Sequence, residues 1–207
     1  MSFDIWLAFF AACWVISLSP GAGAIASMTS GLKHGFWYGY WNVIGLQLAL
    51  IAQIAIVATG LGAVLAASET VFNLIKWFGV GYLLFLAYQQ WTQATIQIQD
   101  ADEHKSSVLK LVIRGFVVNT SNPKAIIFML AVIPQFIEPA QPLLAQYTTM
   151  TLTMVGVDMF VMAGYTLLAA KVLKFLRTRR QQKMVSRGFA GMFVGAAAFL
   201  ATVNRAT

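Results

Sequence analysis

Charge, cysteine and histidine are scarce in this chain. Only 10% of its 207 residues are charged, against about 25% in an average soluble domain. The single cysteine, Cys13, excludes an internal disulfide, a paired-thiol redox motif and a thiolate metal cluster, and its small apolar side chain reads as a packing residue. The two histidines, His34 and His104, lie after the first apolar run and in a polar linker. No intramembrane Ser-His pair or H-E-x-x-H helix is therefore available, and the chain reads as no enzyme, with no cofactor and no metal ligand set. Carboxylates are few as well. Asp4, Glu69 and Glu138 fall at the ends of apolar runs and Asp100, Asp102 and Glu103 in the linker, which leaves Asp158 alone deep inside one.

Apolar residues are what the chain has in excess: 59% of the sequence, with a mean hydropathy of +0.73. That balance marks a polytopic membrane protein with the lipid bilayer as its surroundings. Runs at about 5–28, 39–66, 71–92, 115–137, 144–170 and 188–204 are each long enough to cross a hydrocarbon core of ~30 Å at about 1.5 Å per helical residue. Helices are expected because a bilayer interior offers the backbone no water, and the short alternating strands of a barrel are not seen. The opening residues carry Asp4 and no basic residue before the first run, so they read as a retained helix and not as a secretory signal.

The net charge of +7 follows topology. Lys33 lies after the first run, Lys105, Lys110 and Arg114 after the third, and Lys171, Lys174, Arg177, Arg179, Arg180, Lys183 and Arg187 after the fifth, eleven of the fourteen Lys and Arg in all. Under the positive-inside rule these three loops are cytoplasmic and both termini lie outside; no nucleic-acid partner is needed to explain the charge. Trp6, Trp37, Trp41, Trp77 and Trp91, with Tyr38 and Tyr40, suit interfacial anchors.

Residues 93–114 form a polar cytoplasmic linker that divides the chain into 1–92 and 115–207. Both halves open on a span interrupted by proline: Ile16–Ile25 reads ISLSPGAGAI and Asn119–Phe128 reads NTSNPKAIIF. Three spans per half make the second copy enter the membrane from the opposite side. Inverted repeats with broken helices at corresponding positions point to a transport site near the midplane. The fold expected is all-α, six transmembrane helices as two inverted three-helix repeats with Pro-broken first helices.

Pro20 removes an amide donor, and Gly21 and Gly23 relax the backbone beside it. The polar groups so released need protein or a watery cavity, and a broken helix presents dipole ends suited to a zwitterion. Ser17 and Ser19 add hydroxyls; a plain proline kink with close small-residue packing is the other explanation. In the second break, Asn119, Asn122 and Pro123 precede Lys124, about 15 Å into its span. An intramembrane cation costs at least ~2.5–3.5 kcal/mol on insertion scales and calls for a partner. Asp158 is the one acid at comparable depth, so the two form either a proton-coupling pair or a static structural one. Gln47 is the polar residue of the second span best placed for a cavity, beside Asn42 and Gln53, although hydrogen bonding between helices would also explain it. Tyr165, two turns beyond Asp158, is a weaker candidate.

These motifs together, LSPGAGAIASMTSGLKHG, GLQ, KWFGVGYLLFLAYQQW, NTSNPKAIIFMLAVIPQF and VDMFVMAGY, resemble the LysE/RhtB family of bacterial amino-acid exporters in order and spacing over nearly the whole chain. The resemblance implies export of homoserine, its lactone, threonine or a related small amino acid across the inner membrane, driven by protons. It also implies a substrate site at Ser17–Gly23 and Asn119–Lys124, with Asp158 as coupling group. Ala22 stands where many relatives place Pro or Ser. Uptake and a non-transporting scaffold are the competing functions, and Gly-rich faces permit a homodimer.

Overall fold

The computed structural model of the chain describes residues 1–67, 69–92, 106–138, 140–169 and 178–202, and among them only helices, turns and loops occur. Most of the 93–114 linker and residues 170–177 of the basic run lie outside the described residues. The helices are α1 (Phe3–Leu18), α2 (Ala22–Gly39), α3 (Trp41–Ala67), α4 (Glu69–Thr92), α5 (Val108–Thr120), α6 (Pro123–Ala131), a 3₁₀ turn (Ile133–Phe136), α7 (Leu143–Leu167) and α8 (Arg179–Thr202).

Local chemistry sets several of these ends. Ser2 caps α1, its hydroxyl accepting from the Ile5 amide, and Ser107 caps α5 by accepting from the Lys110 amide, each satisfying a donor that no helical carbonyl reaches. Both expected breaks are present. Pro20 separates α1 from α2 with a bend of 56°, and the Asn122-Pro123 step separates α5 from α6 and its 3₁₀ extension with a bend of 58°. Asn122 caps α6 through its side chain, and Pro123 occupies the first turn, where its missing N–H costs nothing.

Trp41–Gly60 of α3 and Leu143–Leu167 of α7 are long and apolar enough to cross a membrane alone, and each bent pair adds one more if counted as a single span. The described parts of α4 and α8 do not reach that measure. In α8 the reason is its first half, where Arg179, Arg180, Lys183 and Arg187 crowd together. Large apolar side chains nonetheless cover the outside of the bundle, among them Trp37, Ile56, Phe78, Leu144, Leu152 and Phe160, as lipid-facing helices require.

Packing pairs α3 with α5, α7 with both α1 and α2, and α4 with α8. The α3–α5 crossing is backbone on backbone: a Cβ on Gly45 would strike the Val112 carbonyl, and one on Gly115 the Asn42 carbonyl. Helices α1 and α7 run parallel, since Trp6 bonds Thr153, Trp14 packs on Phe160 and Tyr165 bonds Leu18. Phe9, Cys13, Leu46, Met129, Met150 and Phe193 are among the buried residues at the centre.

Candidate functional site

The two breaks face each other across one narrow polar cavity of about 50 Å³, room for a few water molecules. The first break contributes Ser17, Ser19, Gly21 and Gly23, the second Asn119, Asn122 and Lys124, and α7 contributes Asp158. Leu46, Leu50, Met129, Met154 and Met162 form an apolar wall. Eight of the eleven residues expected to form the site therefore line one space. Gln47 touches Asp158 from α3, and Pro20 and Pro123 stand at the two chain breaks that bring the lining groups together.

Lys124 spans the two breaks. Its Nζ donates to the Ser19 carbonyl at 2.6 Å and the Ile16 carbonyl at 3.0 Å, both at the C-terminal end of α1, where Pro20 prevents the helix from continuing. The ammonium thus caps the negative end of α1, and it also lies 5.7 Å from the centre of the Phe193 ring. Tyr165 supports the same end by donating its hydroxyl to the Leu18 carbonyl at 2.6 Å. Three carbonyls at the first break are therefore held by side chains of α6 and α7. An ammonium has three donors, so one hydrogen of Lys124 remains for the cavity, where a Cβ on Gly21 would lie 3.6 Å from Nζ.

Asp158 faces the cavity from the other side. Gln47 donates from Nε2 to its Oδ2 at 2.7 Å, and the Ser17 hydroxyl sits beside the carboxylate without hydrogen-bond geometry to it. Lys124 and Asp158 feel one another's charge but form no direct ion pair: each is held by other groups, the lysine by carbonyls and the aspartate by an amide. Whether the two touch is not legible in the sequence; in the structure a gap separates the opposite charges.

Several polar atoms at the site have no partner, namely Ser17 Oγ, Gln47 Oε1 and Gln53 Oε1. Gly21 is the N-cap of α2, and no side chain caps that helix; Gly21, Gly23 and Ala24 at its start line the cavity. Asp158 and Ser17 line the gap on one side, with Gln47 bonded to Asp158, and Lys124 and the start of α2 line it on the other. Asn119 braces the second break, donating to the Leu46 carbonyl at 2.9 Å and accepting from Gln53 at its own carbonyl at 3.1 Å.

Sequence reasoning missed the carbonyl-capping role of Lys124 and weighed Tyr165 lightly. It also passed over Gly115, because one glycine in a helix carries no sign of the backbone it meets.

Residues 14–204 match the model of the LysE type translocator family. The chain is 38% identical over 207 residues, all of both chains, to a homoserine/homoserine lactone efflux protein of Salmonella typhi. It is 36% identical over 204 residues, 99% of this chain and 100% of the relative, to an uncharacterized membrane protein of Vibrio cholerae. A leucine efflux protein of Klebsiella pneumoniae is 26% identical over 205 residues, 96% of this chain and 95% of the relative. No solved structure matches the chain significantly.

Proposed function

Because the chain belongs to the LysE family of translocators, we propose that it exports small amino acids or their derivatives, homoserine, homoserine lactone or threonine, across the bacterial inner membrane in exchange for protons. One observation carries this function: two proline-broken helices from opposite halves of the chain open on a single cavity that holds a cation on one side and a carboxylate on the other. That arrangement suits a zwitterion once the cavity, which now has room for only a few waters, widens as the two halves move. The substrate ammonium is bound by Asp158, Gln47 Oε1 and Ser17, and its carboxylate by the first amides of α2 and the third hydrogen of Lys124.

Exchange follows from shared occupancy. Asp158 ionised holds the substrate ammonium; Asp158 protonated does not. A proton arriving from the outer face releases the substrate there, and the proton leaves to the cytoplasm before the next substrate binds. The basic loops face the cytoplasm in this reading, with repeats 1–92 and 115–207 rocking about the cavity as two three-span units. The packing supports such a pairing: the second helix of each half lies against the broken first helix of the other, α3 on α5 and α7 on α1 and α2, while the third helices α4 and α8 pack together.

A second substrate class is favoured by the cavity wall, whose Leu46, Leu50, Met129, Met154 and Met162 would accept a larger apolar side chain such as leucine. Proteoliposomes loaded with labelled homoserine, threonine, homoserine lactone or leucine, with an imposed proton gradient, separate the two. Gradient-dependent efflux of homoserine, threonine or the lactone is expected; efflux of leucine alone would transfer the assignment, and no efflux of any of the four would refute it.

A further inference from the structure

Away from the central cavity, Gln135 and Tyr147 are each only 7% exposed, yet neither amide atom of Gln135 nor the Tyr147 hydroxyl has a hydrogen-bond partner. Buried polar groups are nearly always paired, so each of these calls for an explanation. The chain brings the two to the same end of the bundle. Gln135 lies in the 3₁₀ turn, three residues before Glu138, and Tyr147 follows Gln146. Glu138 and Gln146 are bonded reciprocally: the Glu138 amide donates to Gln146 Oε1 at 2.9 Å, and Gln146 Nε2 donates to the Glu138 carbonyl at 2.9 Å.

Tyr147 stands eleven residues before Asp158 on α7. Eleven residues make close to three full turns, so the tyrosine shares the face that carries the aspartate, about 16 Å further along the helix. This is the end of α7 remote from the basic run that follows its other end. Met150 and Met154, on the stretch of α7 between them, are buried, and the Phe9 and Phe136 rings meet edge-on at 5.3 Å. Along α7, an apolar seal of Met150 and Met154 therefore lies between Asp158 and Tyr147. At this same end of α7 a surface recess of about 540 Å³ is lined by Gln141, Gln146, Thr149 and the first residues of the chain; Tyr147 follows its Gln146 but neither Tyr147 nor Gln135 lines it.

We propose that Gln135 and Tyr147 form an outer polar station that receives the zwitterionic amino acid once the seal opens and hands it to the outer recess. The proposal rests on the exporter function above. The Gln135 carbonyl oxygen accepts from the substrate ammonium, while its Nε2 and the Tyr147 hydroxyl donate to the carboxylate, so the unpaired groups are paired only when substrate is present.

The test compares Gln135→Met and Tyr147→Phe with the parent protein in right-side-out and inverted vesicles, using labelled homoserine in exchange assays, together with thermal melting in detergent. Both substitutions remove a buried unpaired group and keep the side-chain size, so the melting temperature is expected to hold or rise. The half-saturating concentration at the outer face is expected to rise roughly tenfold, the size of one hydrogen bond to a charged group, with that at the inner face unchanged. Unchanged values at both faces, an equal loss at both faces, or a lowered melting temperature would each overturn the station. A parent protein that exchanges no homoserine would instead overturn the exporter function, and the station with it.

Discussion

Replacing Asp158 by Asn separates binding from coupling. Asparagine keeps the shape of aspartate, and its Oδ1 still accepts from Gln47 Nε2, now 2.7 Å from the carboxylate. The bond changes from one to a charged acceptor, about 1.5–3 kcal/mol, to one between neutral groups, about 0.5–1.5 kcal/mol. Against that loss of about 1 kcal/mol stands relief from holding a carboxylate in a site with no direct ion-pair partner. The variant is therefore expected to fold, with a melting temperature close to that of the parent. Substrate binding is a different matter, because the ammonium loses its charged acceptor. A loss of about 1.5–3 kcal/mol corresponds to roughly 10- to 150-fold weaker binding. Coupling disappears altogether, since an amide does not exchange a proton in this range. In proteoliposomes, homoserine counterflow without a gradient would persist at raised substrate concentration, while an imposed proton gradient would no longer accelerate efflux. Gradient-driven efflux retained in a folded Asp158→Asn protein would refute the assignment of Asp158 as the coupling group.

Other substitutions test the remaining parts. Lys124→Gln removes the ammonium proposed to face the substrate carboxylate, so homoserine affinity should fall at least tenfold while the lactone, which has no carboxylate, is spared; equal losses for both, measured by competition, would place the lysine in the fold alone. Gly115→Ala drives a Cβ into the Asn42 carbonyl, a backbone atom that cannot rotate aside, and should cost about 1–3 kcal/mol or more of stability, read as a lowered melting temperature. Asn122→Ala deletes the cap of α6, whose Oδ1 accepts from the Lys124 amide at 3.1 Å, for a loss of about 1 kcal/mol in thermal melting.

Much of the candidate site was legible in the sequence because breaking a membrane helix and burying a charge are both costly, and each leaves a visible mark. Pro20, Gly21, Asn122, Pro123, Lys124 and Asp158 stand out against apolar neighbours, and four of these six line one cavity. Which group each of them bonds was not legible. The lysine reaches carbonyls that the first break exposes, and a linear sequence does not show how far a four-carbon stem extends between helices. The Gln47 bond to Asp158 depends on the α3–α7 contact, and the close approach of Gly45 and Gly115 on a crossing between opposite halves. The unpaired Gln135 and Tyr147 look in sequence like ordinary polar residues near the ends of apolar runs. Only tertiary packing removes them from water.

In the proposed exchange, substrate and proton compete for one carboxylate between the two breaks. This is tested most directly by adding homoserine to the detergent-solubilised protein in weakly buffered solution and counting released protons with a pH-sensitive dye. Such competition releases about one proton per homoserine bound when Asp158 begins protonated, and none from Asp158→Asn. Binding without proton release in the parent protein, at every pH where it binds, would contradict it.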